Sequence, residues 1–449
     1  MSAPKARPVQ YVIVGSGIAG LAAAETLRTR QPQAPITMIS EEPHNFYSRP
    51  GLAYLLRGDI PEKQLFIRTR DDLRGLNLQR IHARVTHLAC DRRELVLANG
   101  QRVPYDRLLL APGAQATRPP FIRDDLSGQV KIDSLDDTRH ILQLARRGKT
   151  AVVVGGGITA LELAEGLAAR RLRVHYFLRG ARYWSDVLDE EESHIVMARL
   201  EQEGVHIHTN TQVKQLHGAA GRLTGVETEA GAVIPAELLA YAIGVRPRVE
   251  LARAAGLAVD KGIVVNSFLE TSQPGVFAAG DAAQVGSTPL DVLWPTALHQ
   301  GRVAGANLAG EKVGYVRAVA CNVTQLTGLK VTIIGSVGGG KGSGKDADTV
   351  AIVRGDSESW RLAPRAAVLA DRHDVNRVRL FVGERHIVGA LVMGEQTWSR
   401  PLQRLIAAGA DILPVRAALL GPAATAFPAL AQFYQQWEQR GAGAPPGRG

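Results

Sequence analysis

The chain has 449 residues, 45% of them hydrophobic and 21% charged, which suits buried cores in about three domains and excludes a wholly disordered or fibrous protein. Its 53 Lys and Arg exceed 43 Asp and Glu by ten charges, yet the excess is spread out with no polybasic arm, so nucleic acid is not an expected partner. Two cysteines, Cys90 and Cys321, lie far apart and outside any paired motif, which leaves no zinc knuckle, no metal centre and no disulfide relay.

The first expected strand begins at Val9, too early for a cleavable leader, and no apolar run approaches the roughly 20 residues of a membrane span, so a cytoplasmic chain is expected. Tyr11-Val12-Ile13-Val14 runs into Gly15-Ser16-Gly17-Ile18-Ala19-Gly20, then into an Ala/Leu-rich helix from Ile18 to Arg30. A second strand, Ile36 to Ser40, follows and ends at Glu41. That is a complete βαβ dinucleotide fingerprint. Its glycines permit a tight turn and let backbone N–H groups approach a pyrophosphate at the positive end of the helix, while the acid can accept hydrogen bonds from a ribose diol. Val85 to Cys90 alternates like a core or edge strand. Leu108-Leu109-Leu110-Ala111-Pro112-Gly113-Ala114 is a buried strand that turns sharply, and Pro119-Pro120 reads as a linker.

A second glycine loop, Gly155-Gly156-Gly157-Ile158-Thr159-Ala160, follows Ala151-Val152-Val153-Val154 and opens a helix from Ile158 to about Arg170. One chain is therefore expected to hold two dinucleotides. The next strand, Arg173 to Leu178, ends without a carboxylate. An acid at that place binds the 2′-hydroxyl of NAD and repels a 2′-phosphate. With Leu178 there and Arg179 and Arg182 close by, the site admits NADH or NADPH and leans to NADPH. Leu238 to Pro247 closes this unit with a strand and a Gly/Pro ending, as the first unit closed.

Val276-Phe277-Ala278-Ala279-Gly280-Asp281 is a short apolar strand with an aspartate at its tip, where ligands of such sheets bind. A helix is expected from about Thr296 to Leu308. The last unit alternates β-like segments (Ala351 to Arg354, Val378 to Val382, Ile387 to Met393) with two late helices, and the Gly/Pro-rich residues 441–449 form an expected disordered tail. Gly339 to Lys345 fits GxxxxGK, but Asp346 replaces the magnesium-binding Ser/Thr and no strong helix follows, so the reading is a hairpin loop. The apolar stretches Leu402 to Ala408 and Ala417 to Trp437 raise peripheral membrane contact, but they lack a clear basic face, so packing within the last unit is the preferred reading.

These features together resemble the two-dinucleotide-domain flavoprotein reductases related to the pyridine nucleotide-disulfide oxidoreductases, over nearly the whole chain. The motifs that carry the likeness are the first loop with Glu41, Tyr47-Ser48-Arg49-Pro50, Ala111-Pro112-Gly113, the second loop with Glu162 in its helix, Gly244-Val245-Arg246-Pro247, and Ala279-Gly280-Asp281. The resemblance implies an α/β fold. A discontinuous Rossmann-like FAD domain would take residues 1–118 and 246–318, a Rossmann-like NAD(P) domain residues 119–245, and an α+β interface domain residues 319–440.

It also implies roles. Gly15, Gly17, Ala19 and Gly20 would meet the FAD pyrophosphate, Glu41 the adenosine ribose, Val85 the adenine through its backbone, and Asp281 the ribityl chain, with Gly280 beside it in the FAD set. Arg49, Ala111 and Gly113 belong to the same FAD set, and Ala297 would bring helix N–H groups to the flavin carbonyl. Gly155, Gly157, Thr159, Ala160, Arg179, Arg182 and Gly244 would hold the nicotinamide cofactor, with Glu162 near the stacked rings. Tyr54 and Glu162 are the candidate catalytic side chains.

Departures from the pattern narrow the chemistry. Coenzyme A disulfide reductases and water-forming NADH oxidases carry a catalytic cysteine ahead of Gly-Leu-Pro-Tyr, where this chain has Pro50 ahead of Gly51-Leu52-Ala53-Tyr54. No thiolate can relay electrons there, which disfavours disulfide, peroxide and persulfide reduction by that route. The pattern is similar instead to the rubredoxin reductase and nitrite reductase flavin-domain branch. Ferredoxin-reductase relatives often place a lysine where Tyr54 stands. An FAD-dependent NAD(P)H oxidoreductase is expected, with a small acidic carrier such as rubredoxin or ferredoxin as acceptor and a homodimer as a compatible assembly. The alternatives are a quinone as acceptor, or a flavoprotein with a non-catalytic nucleotide-binding or partner-binding role.

Overall fold

The computed structural model describes residues 7–287, 290–337, 365–368 and 375–440. Strand β1 (Tyr11–Val14) is buried along its whole length, as a central parallel strand covered on both faces must be. Helix α1 (Ile18–Arg30) follows the glycine loop, and β2 (Ile36–Ser40) returns parallel to β1. With β3 (Gln79–His82), β4 (Arg107–Leu110) and β9 (Val276–Ala278), the first sheet has the order β9-β4-β1-β2-β3, parallel throughout. Its fifth strand arrives 166 residues after the fourth, so the first unit is assembled from two separate stretches of chain.

A second parallel sheet uses β5 (Thr150–Val154), β6 (Arg173–Phe177), β7 (Val205–His208) and β8 (Leu238–Tyr241), in the order β7-β6-β5-β8 followed by the short strand Gln129–Val130. Its glycine loop opens α4 (Ile158–Ala169), and α5 (Glu190–Gln202) follows β6. The helices between are α2 (Gly51–Arg57) and α3 (Leu135–Leu144). Where the chain leaves the first sheet at Ala114–Ala116 and where it comes back at Val245–Pro247, the two crossing segments pair antiparallel. Gly113 and Gly244 sit at this crossing, and their carbonyls accept from the N–H groups of Arg248 and Thr117, each at 2.9 Å.

Helix α6 (Trp294–Leu308) lies on α1 backbone to backbone: a Cβ at Gly301 would fall 2.3 Å from the Ala19 carbonyl, and one at Gly305 2.6 Å from that of Ala23. The helix begins at Trp294 rather than near Thr296, because Pro295 occupies the first turn, where its missing N–H costs no bond.

The last unit is an antiparallel sheet of β10 (Cys321–Leu326), β11 (Leu329–Gly335), β12 (Arg365–Val368), β13 (Arg377–Val382) and β14 (Ile387–Met393), ordered β10-β11-β14-β13-β12. Helices α7 (Ser399–Ala407) and α8 (Ala423–Gln439) bury Leu402, Leu405, Ala426 and Leu430 in the same cluster as Ile334, Leu380 and Val392 of this sheet. Their apolar faces are thus used in packing, as expected. No helix among the described residues is long and apolar enough to cross a membrane. The expected strand Ala351 to Arg354, the GxxxxGK segment and the expected tail 441–449 lie outside the described residues.

Candidate functional site

The carboxyl ends of β1, β4 and β9 converge on the first glycine loop. Gly15 has φ +107°, and a Cβ there would stand 2.0 Å from the Ala111 carbonyl oxygen. Its N–H donates to Ile39 O at 2.8 Å, which fixes the loop across the top of the sheet. Leu21 makes the first intrahelical bond, to Gly17 O at 2.9 Å, so the N–H groups of Ile18, Ala19 and Gly20 have no acceptor within α1. The N-cap Gly17 supplies no side chain to meet them. By contrast, the helices after Thr69, Ser134 and Asp189 all begin with a capping box. The second loop repeats the arrangement: Gly155 has φ +145°, its Cβ would lie 2.2 Å from Ala242 O, and the N-cap Gly157 again offers no side chain. Two open helix ends with oriented N–H donors, each reached through a glycine that has no room for a side chain, fit two dinucleotide pyrophosphates.

Around the first loop, Gly280 follows β9 with φ +79° and donates its N–H to Gln300 Oε1 at 2.8 Å, placing Asp281 at the strand tip. Ala297 is buried in the first turns of α6, but its own N–H donates to Leu293 O, so the open donors of that helix end belong to Trp294 and Thr296. Glu41, at the end of β2, faces Arg84 at 3.2 Å and Arg248 at 3.4 Å. Val85 starts a strand, Val85–Ala89, that packs on the first core. Arg49 is held by Glu42 and by the Asp133 carbonyl, with its guanidinium 5.4 Å from the Tyr47 ring centre. Tyr47 donates to Glu42 at 2.5 Å.

Beyond the second loop lie the residues expected to meet the nicotinamide cofactor. Leu178, at the strand end, is 1% exposed and belongs to one apolar cluster with Tyr183 and Val187, so its side chain faces the core. Arg182 donates to Leu188 O at 2.9 Å. Burial pushes the Asp186 carboxyl above the usual range, while Arg179 and Arg182 oppose that shift.

Helices α2 and α4 bring the two halves together. Gly166 lets Leu56 approach so closely that a Cβ would be 2.6 Å from its Cγ, and Arg170 donates to the carbonyls of Leu56 and Leu55 at 2.9 and 3.1 Å. This contact places Ala53, Tyr54 and Arg57 opposite Glu162 and Glu165, and Gln325 of β10 completes a small cleft. Tyr54 is 39% exposed and lies under the Arg57 guanidinium at 5.7 Å. The sequence reading selected Tyr54 and Glu162 but missed Arg57, Glu165 and Gln325. Two acids three residues apart on an otherwise apolar helix were the available signal. Nothing local in the hairpin that meets them points to this helix.

Neither cysteine is among the residues that line this cleft: Cys90 follows the strand Val85–Ala89 and Cys321 starts β10. They are unpaired, and burial raises both thiols above their ordinary pKa. Residues 9–301 match the pyridine nucleotide-disulphide oxidoreductase family. The chain belongs to that family. Within the pyridine nucleotide-disulphide oxidoreductases it is 31% identical over 355 residues to the biphenyl dioxygenase system ferredoxin–NAD(+) reductase component of Paraburkholderia xenovorans, covering 77% of this chain and 84% of that protein. It is 32% identical over 316 residues to putidaredoxin reductase CamA of Pseudomonas putida, 67% and 74% of the two chains. The fold superposes on putidaredoxin reductase in its covalent complex with putidaredoxin with a TM-score of 0.82 and 25% identity, over 95% of this chain and 99% of that one. As in this family, the chain is an FAD-dependent NAD(P)H oxidoreductase, and its two cysteines form no disulfide.

Proposed function

We propose that the protein takes hydride from NAD(P)H, with NADPH preferred, and passes the electrons to a small acidic electron-transfer protein of the ferredoxin or rubredoxin kind. The observation that carries this reading is Pro50 at the N-cap of α2: the residue ahead of Gly51 is no thiol, and the cleft beyond it is lined without cysteine. Electrons then need an outlet other than a disulfide relay. A chain with ten excess positive charges attracts an acidic carrier, and the relatives named above include reductases of ferredoxin and putidaredoxin.

Bound FAD supplies the hydride acceptance and the release of electrons singly. The chain's part is positioning. Gly15, Gly17, Ala19 and Gly20 hold the FAD pyrophosphate at the end of α1, Glu41 the ribose, and Gly280 and Asp281 the ribityl chain, with Arg49, Val85, Ala111, Gly113 and Ala297 around them. Gly155, Gly157, Thr159 and Ala160 hold the second pyrophosphate, Arg179 and Arg182 flank the 2′ position, and Gly244 lies at the crossing. Tyr54 and Glu162 meet at the cleft where the two rings would stack. In this reading residues 1–118 with 246–318 form the FAD domain, 119–245 the NAD(P) domain and 319–440 the interface domain, in a cytoplasmic enzyme.

The test is anaerobic stopped-flow reduction of the FAD-loaded protein by NADPH and by NADH, followed by reoxidation with a ferredoxin, a rubredoxin or a quinone. Bleaching followed by carrier reduction that slows as salt is raised supports the proposal. Reoxidation by quinone alone moves the assignment to a quinone reductase.

A further inference from the structure

Glu165 lies one helical turn beyond Glu162 on α4 and is 4% exposed. The groups facing it come from five elements. Arg57 of α2 is 3.9 Å away, Thr327 of the β10–β11 hairpin donates its N–H at 2.8 Å, and Glu162, Tyr176 of β6 and Glu203 after α5 add to the local field. Arg57 is the cation of this group, yet its guanidinium is shared among Asp59 at 2.6 Å, Gln325 at 3.4 Å and the Tyr54 ring. Burial therefore outweighs the attraction to Arg57, and the carboxyl is pushed up to about 7. Another buried acid, Glu192, is likewise pushed up by burial but is gripped by Arg379 at 2.8 and 3.1 Å. Glu165 instead lines the cleft with Tyr54 and Glu162.

We propose that Glu165 takes up a proton when the bound flavin is reduced and releases it when the electrons leave, so that the charge of the cleft stays constant through the cycle. The inference rests on the function proposed above. Hydride transfer carries two electrons and one proton from the nicotinamide, which adds one negative charge on the receiving side. One solvent proton on Glu165 cancels that charge and frees Arg57 to face it. As two electrons pass to the carrier, the hydrogen received as hydride departs as a proton and Glu165 loses its own. The sum is NAD(P)H going to NAD(P)⁺, one proton and two electrons on the acceptor. Glu165 is in this sense a positioning residue, acting through the field it shares with Arg57.

The experiment is the midpoint potential of the bound FAD as a function of pH in the wild type, Glu165→Gln and Glu165→Asp. Each extra proton taken up makes the reduction equilibrium tenfold more pH-dependent per unit, which is about 30 mV for a two-electron couple. The wild type should steepen by that amount over an interval starting near pH 7, Glu165→Gln should lose the steep interval, and Glu165→Asp should keep it at a shifted pH. A wild type with no such interval, or a Glu165→Gln variant with an unchanged one, overturns the inference. If the glutamine variant does not fold, the aspartate variant decides, because a steep interval that stays at the same pH excludes residue 165 as its source. Failure of both nicotinamides to bleach the flavin would instead sink the proposed function, so the two failures are distinguishable.

Discussion

Gly15 and Ala111 touch through their backbones: a methyl group on the first would stand 2.0 Å from the carbonyl oxygen of the second. The loop can be laid across the strand ends only because position 15 has no side chain and adopts φ +107°. Gly15→Ala therefore forces a backbone shift on top of a conformational strain of about 1–3 kcal/mol. We expect FAD affinity to fall at least about tenfold to a hundredfold, at 1.4 kcal/mol per decade. Gly155→Ala should behave differently, retaining bound FAD while bleaching by NAD(P)H slows by a similar factor. Flavin content per protein and stopped-flow absorbance check both, and a Gly155→Ala protein that loses FAD as well would contradict separate sites.

The 2′ position can be tested at Arg179. Charge-assisted hydrogen bonds contribute about 1.5–3 kcal/mol, so Arg179→Ala should lower kcat/KM for NADPH by about tenfold or more and leave NADH nearly unchanged. Equal losses for both nucleotides would place the 2′ group elsewhere. Leu178→Glu is a weak probe of the same position, because Leu178 is buried and a new carboxylate there must first be desolvated.

Glu165 also predicts a pH dependence of stability. Its carboxyl is raised from 4.5 to about 7, so between these values the folded chain holds a proton that the unfolded chain has released. Stability then falls as pH rises through that window, by about 3 kcal/mol in all at 1.36 kcal/mol per unit. Glu165→Gln should remove this slope and be more stable than the wild type at pH 8 but not at pH 4. Parallel unfolding curves at the two pH values would refute it.

Arg379 of β13 reaches across to Glu192 of α5, and both side chains are buried. Arg379→Ala should destabilise the protein by about 3–5 kcal/mol by stranding a buried carboxylate. The pair Arg379→Met with Glu192→Met should recover most of the loss. Urea denaturation checks this, and a double variant no better than the single one would show that Arg379 matters chiefly through its bond to Val187 O.

Both glycine-loop units were legible in the sequence because their signals are local: an apolar strand, a glycine turn, a helical repeat and a second strand fall within about 30 residues. The expected ranges Ile18 to Arg30 and Ile36 to Ser40 coincide with α1 and β2. What remained hidden depends on distant contacts. Thr327 donates to Glu165 across 162 residues of sequence, and no spacing rule connects a hairpin tip to a helix that far away. Leu178 was legible as a missing acid, but its burial against Tyr183 and Val187 follows from a loop that folds back after β6. The start of α6 moved by two residues because a proline, usually a stop, is tolerated in a first turn.

The family match ends at residue 301, but the second hydrophobic core does not: Leu326, Val331, Ile333, Phe381 and Leu391 of the last sheet share it with Leu161, Val174 and Val196. A chain shortened to the matched region would lose these residues and leave the side chains they cover facing water. The shortest piece able to behave as an enzyme is therefore longer than its recognisable signature, and the C-terminal sheet cannot be exchanged or removed like a detachable module.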